Sequence, residues 1–138
     1  MPQQRWLVKT EPDAYSFDDL VRDRRTTWDG VKNALAQTHL RAMKPGDEVF
    51  VYHTGSQKSV VGVARVAKAP QPDPAGGPKA VAVELEAVRA LAAPVALSAI
   101  REEPRCADLA LVRVPRLSVM PIPPDAWDAI ERRGSAGH

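Results

Sequence analysis

The sequence predicts an α+β domain: a curved, mostly antiparallel sheet closing toward a barrel, with small helices packed around it. Three observations carry the prediction. Four stretches alternate apolar and polar residues at the period of a strand, and turn-forming residues separate them. Other short segments begin on capping residues and stop at proline or glycine, as small helices do. Gly62 interrupts one apolar stretch, and a glycine in mid-strand marks a bulge or a close backbone approach, as at a barrel corner. With no internal repeat and no second composition regime, residues 1–138 read as one domain.

Residues 5–10, RWLVKT, are the first expected strand, with Trp6 and Val8 on one face and Leu7 and Lys9 on the other. Pro12 ends it, because proline cannot donate to a ladder. Ser16 suits the cap of a short helix, with Asp19 at the capping-box position and Tyr15 and Leu20 spaced as a hydrophobic staple. Arg22, Arg24 and Arg25 put cations at that helix's C-terminal end, where the dipole favours them; they read as a solvated helix end first and as a phosphate site second, the two being compatible. Residues 26–31 read as irregular, with Gly30 supplying a conformation other residues resist. Asn33 suits the N-cap of a second helix over 34–43, whose apolar stripe is Ala36, Leu40 and Met43. Pro45-Gly46-Asp47 stops it. A strand over 48–54 then turns at 55–58 into a third over 59–67.

Residues 70–79, PQPDPAGGPK, have the composition of a flexible loop, and 80–88 alternate as a fourth strand. Pro94 interrupts, and Ser98 is expected to cap a short helix that ends before Pro104. Residues 109–122 read as short edge strands confined by Pro115 and Pro121. Pro124 opens a last helix, with Trp127 and Ile130 on one face and Gly134 as its stop.

Composition narrows the function classes. A formal charge of +2 permits nucleic-acid binding without demanding it. No apolar run approaches the roughly 18 residues of a membrane span. No signal-peptide core is visible near the first residues, and the single Cys106 fits a reducing compartment, so a cytoplasmic location is expected. No metal-ligand spacing occurs among the histidines, and neither a metal nor a cofactor is expected.

The chemistry concentrates between residues 26 and 54. Trp28 lies in a segment flanked by Gly30, Asn33 at a helix start, and Tyr52-His53-Thr54 at a strand end. An aromatic face, an amide and an imidazole from different elements suit a small pocket for a flat polar ring. For Trp6 the reading is core; for Trp28 it is the pocket. Asn33 serves equally as a helix cap or as a partner for a base edge. His53 reads as a hydrogen-bonded structural residue or a ligand contact, and no Ser-His-Asp or Cys-His arrangement accompanies it.

Six segments in order then resemble the EVE domain family: WLVKTEP at 6–12, YSFDDL at 15–20, TTWDGVKN at 26–33, LRAMKPGDEVFVYHT at 40–54, VVGVARV at 60–66 and PRLSVMPI at 115–122. The resemblance implies a PUA-like pseudo-barrel, related to the YTH and ASCH domains, whose members accept a nucleobase, often modified, in a pocket beside the barrel. It implies a non-catalytic module that recognises a modified base in DNA or RNA. It also draws Lys9, on composition alone a surface charge, into the site. Expected ligand contacts are Lys9, Thr10, Trp28, Asn33, Tyr52, His53, Thr54 and Ser118, with Lys32 and Arg116 on phosphates. The chain departs from the family pattern at Ala34, where tyrosine is frequent, and at Met120, where glutamine is frequent; an aromatic wall and an amide are the groups at stake. Two other classes remain open: an enzyme acting on a base or nucleotide with His53 as general base, and a sensor of a free planar small molecule.

Overall fold

Apolar alternation and capping chemistry resolve into eleven elements in a computed structural model that describes residues 4–73 and 79–136. In chain order they are β1 (Arg5–Thr10), α1 (Phe17–Asp23), β2 (Arg25–Trp28), α2 (Ala34–Ala42), β3 (Glu48–His53), β4 (Ser59–Pro72), β5 (Val81–Ala96), α3 (Leu97–Glu102), α4 (Ala110–Arg113), β6 (Val119–Pro121) and α5 (Pro124–Ala136). A 3₁₀ turn, Pro104–Cys106, sits between α3 and α4.

The strands form one sheet in the order β2-β5-β4-β3-β1-β6. All neighbours are antiparallel except β1 and β3, which run parallel from Arg5 opposite Glu48 to Thr10 opposite His53. A parallel pair needs a long crossover, and the α1–β2–α2 excursion supplies it. Both ends of the strand order come round to one cleft: Thr26, Thr27 and Trp28 of β2 face it from one side, Lys9 and Thr10 of β1 and Ser118 before β6 from the other. The sheet is therefore a curled, incompletely closed barrel.

Its core is filled by Leu7, Val8, Phe50, Val63, Leu85, Ile100, Met120, Trp127 and Ile130, all buried. Phe50 and Trp127 stack at 3.6 Å between centroids, which holds α5 against β3. Trp6 is buried as expected, and its Nε1 donates to Asp47 Oδ2 at 3.0 Å. That same carboxylate oxygen accepts from the Lys44 amide, locking the turn before β3. Ser16 and Asp19 form the reciprocal capping box, and Asn33 Oδ1 caps α2 through the Ala36 amide at 3.0 Å. Gly62 answers to both expectations. The register shifts beside it, and a Cβ there would stand 2.4 Å from the Phe17 ring, so only glycine lets α1 lie on the sheet.

Several expectations are corrected. Residues 26–28, read as irregular, belong to β2, because Arg25 to Trp28 pair with Glu86 to Val83 of β5, a partner distant in sequence. Strand β5 continues through Pro94 to Ala96. The register jumps from Gly62 opposite Ala90 to Val60 opposite Val95, so Pro94 lies within a bulge where no ladder bond is required of it. Helix α3 starts at Leu97 after Ala96, without a side-chain cap from Ser98. Within 109–122 the backbone makes α4 and only a three-residue strand. Gly134 does not stop α5; it lies inside the helix, where a Cβ would come within 2.7 Å of Leu91. Strand β4 extends through Pro72 into the expected loop, and residues 74–78 of that loop lie outside the described residues.

Candidate functional site

A cleft of about 730 Å³ opens where the two edges of the sheet meet. One wall runs from β2 through Trp28, Asp29, Gly30, Val31 and Lys32; the opposite wall holds Lys9, Thr10, Glu11 and Ser118; Tyr15 stands between them. Trp28 is half-buried, and its ring meets that of Tyr15 edge to face, 6.3 Å between centroids and 83° between planes.

Local structure holds each wall. Gly30 adopts φ +72°, and its amide donates to Asp73 Oδ2 at 3.1 Å. The buried amide of Gln37 on α2 ties the same wall to β5. Its Nε2 donates to the Val31 and Val81 carbonyls at 2.7 and 3.2 Å, and its Oε1 accepts from the Val81 amide at 2.9 Å. On the other side the Lys9 amide donates to Ser118 O at 2.9 Å, and Thr10 Oγ1 donates to Tyr15 O at 2.7 Å. Tyr15 Oη donates to Asp23 Oδ2 at 2.8 Å.

The charges in the cleft nearly cancel, with Lys9 and Lys32 set against Glu11 and Asp29. Lys9 Nζ donates to the Pro115 carbonyl at 2.8 Å and lies 5.7 Å from the centroid of the Tyr52 ring. Burial pushes its ammonium below the ordinary value, so an acceptor brought to it restores solvation the fold removed. Burial likewise pushes the Tyr15 phenol up, and Asp23 adds to this. No cationic side chain pairs with Glu11 or Asp29 among the described residues, and both keep acceptor capacity.

Of the residues singled out from the sequence, Lys9, Thr10, Trp28, Lys32 and Ser118 line this one cleft. Asn33, Tyr52, His53, Thr54 and Arg116 do not. Asn33 is spent on the α2 cap. Tyr52 lies buried beneath Lys9. Thr54 closes the end of the β1–β3 pairing, its amide donating to Thr10 O at 3.0 Å. Arg116 is exposed outside the cleft. His53 is 6% exposed, and both ring nitrogens are engaged. Nε2 accepts the Phe17 amide at 2.9 Å, and Nδ1 donates to Gln57 Oε1 at 2.8 Å. Its ring joins the start of α1 to the turn after β3, and it is not among the residues that line the cleft. The two departures are also placed: Ala34 is exposed on the first turn of α2, and Met120 is fully buried opposite Leu7. Neither lines the cleft.

Sequence reasoning missed Glu11, Tyr15, Thr26, Thr27 and Asp29 as cleft residues, and Gln37 behind it. Adjacency to Thr10 and Trp28 was the only local signal for Glu11 and Asp29. Nothing local marked Gln37, whose partners on β5 lie 44 positions away.

Comparison with known proteins agrees with this architecture. The chain is similar to Rpa0253 of Rhodopseudomonas palustris, with 37% identity and a TM-score of 0.90 over 98% of this chain and 95% of that one. It is 39% identical over 80 residues to mouse thymocyte nuclear protein 1, covering 49% of this chain and 35% of the mouse protein, so the chain spans about a third of that relative's length. The human THYN1 protein, solved in complex with 5-methylcytosine-containing DNA, superposes with a TM-score of 0.89 at 24% identity, covering 96% of this chain and 98% of that one; at that identity the likeness is one of fold. The sequence pattern of the EVE domain matches residues 4–133, and the chain belongs to the EVE domain family.

Proposed function

We propose that the protein is a non-catalytic module that takes one base of DNA, a modified base such as a 5-methylated cytosine, into the cleft between β1 and β2. The observation that carries the reading is the cleft's make-up: two aromatic rings and a set of hydroxyls, carboxylates and one desolvated ammonium, with no net charge. Such a lining suits a neutral flat heterocycle with several hydrogen-bonding edges better than it suits a phosphate. The fold-mate from human, crystallised with 5-methylcytosine DNA, supports the ligand class.

Base extrusion costs a few kcal/mol. Stacking on Trp28 contributes roughly 1–3 kcal/mol against that cost. Glu11 and Asp29 accept from an exocyclic amine, as carboxylates do from cytosine N4. Thr10, Ser118 and Lys9 serve the ring's carbonyl edge, and Lys32 at the rim meets a phosphate. The alternative of an enzyme with His53 as general base has little support, because that ring is buried, doubly hydrogen-bonded and not among the cleft's lining residues.

The test is titration of matched duplexes, identical but for one 5-methylcytosine, followed by fluorescence anisotropy. Preference for the modified duplex that disappears in Trp28→Ala is the expected result. Equal affinity for both duplexes in the wild type, or product formed from either, sinks the reading. A free nucleoside bound as tightly as the duplex would favour a small-molecule sensor.

A further inference from the structure

A second groove of about 540 Å³ lies next to the cleft along the same stretch of chain. Residues 24 and 25 line the groove and residues 26–32 line the cleft, so β2 contributes to both. The groove's character is different. Arg24, Arg25 and Arg89 face one carboxylate, Glu86, over an apolar surface that includes the exposed Val21 and Val88, 49% and 44% accessible. Arg25 and Arg89 are held in place by ion pairs, Arg25 to Glu84 and Glu86 and Arg89 to Glu131. Arg24 meets no carboxylate among the described residues. It also holds φ at +68°, a conformation glycine adopts freely and an arginine only under strain.

We infer that this groove takes the sugar-phosphate backbone of the nucleotides flanking the base held in the cleft, with Arg24 as its principal phosphate contact. The inference rests on the cleft being a base site. A neutral cleft leaves backbone charge to be met elsewhere, and on this neighbouring surface Arg24 is the cation that no carboxylate among the described residues neutralises. Distance suits it: three strand steps lead from Arg25 to Trp28, roughly 10 Å at the strand rise, which is within a few nucleotide steps of stacked backbone. Val21 and Val88 offer apolar contact to sugar carbons. A long cation standing at a backbone position that favours glycine is accounted for by a ligand it reaches.

Arg24→Gly is a clean probe, because it deletes the guanidinium and relaxes the strained φ, so the fold is kept. Arg24→Lys keeps the charge. Anisotropy with a single-stranded oligonucleotide carrying 5-methylcytosine, over a salt series, is compared with calorimetry of the free 5-methylated nucleoside. In Arg24→Gly, oligonucleotide affinity falls roughly three- to tenfold and the salt slope shrinks by about one ion; Arg24→Lys stays near wild type, and nucleoside binding is unchanged. Unchanged oligonucleotide affinity and slope in Arg24→Gly overturn the groove assignment while the cleft reading stands. Wild-type protein that binds neither oligonucleotide nor nucleoside overturns both. Polyglutamate bound as tightly as the oligonucleotide, and equally lost in Arg24→Gly, makes the groove an acidic-peptide surface and overturns the assignment.

Discussion

His53 and Trp28 show how differently two residues with similar promise can be used. Both sit where elements end, and both carry rings suited to a ligand. The imidazole is consumed by the Phe17 amide and Gln57, whereas the indole stays half-exposed in the cleft. His53→Ala removes an acceptor from a buried amide, so a loss of about 1–3 kcal/mol in folding free energy is expected, read from the denaturant midpoint. Unchanged stability with altered ligand affinity would contradict the structural role. Trp28→Ala is expected to do the reverse, keeping the fold and weakening oligonucleotide binding by roughly 1–3 kcal/mol. Asp29→Asn swaps an acceptor-only group for one that also donates. It is expected to shift preference from 5-methylcytosine toward thymine, which has the same methyl but a keto group in place of the amine. A ratio of affinities unmoved by Asp29→Asn would remove Asp29 from base reading.

Elements depend on contacts that the helices and strands cannot make alone. The buried ring of Phe17, at the start of α1, fits against β4 only because Gly62 leaves room for it. Gly62→Ala therefore costs about 1–3 kcal/mol or more through overpacking, visible as a lowered Tm. Gly134 faces only the flexible end of Leu91, and Gly134→Ala is much the milder change. The cleft wall after β2 hangs on Gln37. Gln37→Leu leaves the Val31 and Val81 groups without partners, and a stability loss of about 2–3 kcal/mol is expected together with weaker binding. Hydrogen exchange at the amides of residues 29–32, faster in that variant than in the wild type, is the readout; unchanged exchange would show the wall is held otherwise.

At the scale of the whole molecule, both of its tyrosines report on the fold. Burial raises the phenols of Tyr15 and Tyr52 above their ordinary value. The folded state thus keeps these protons more firmly than the unfolded chain does. The stability they contribute is complete below the unfolded value of about 10 and is lost as pH rises through the higher folded values. Phenolate absorbance is expected to rise later in native protein than in denaturant, and coincident curves would refute this. No helix among the described residues is long and apolar enough to cross a membrane. The exposed face of β2, β4 and β5 is laced by Arg25, Arg65, Lys68, Glu84 and Glu86, pairs that join strands across the sheet and, being exposed, add little stability singly.

Local chemistry by itself determined the strand 5–10 and, to within one residue, the strand read as 48–54, the capped starts at Ser16 and Asn33, the core role of Trp6 and the tight passage at Gly62. Each is set by neighbours in sequence or by the strand period, so each was legible. The resemblance of six ordered segments reached further, to the family and to Lys9. Tertiary structure alone decided that 26–28 pair with β5, that Pro94 sits in a bulge, and that residues 110–113 coil into a helix. It decided which polar groups share a cleft, joining Glu11, Tyr15 and Asp29 to Lys9 and Trp28 and turning His53 and Asn33 to structural use. The physical reason is closure: the two sheet edges meet only after the chain has curled, and no window of sequence contains both of them.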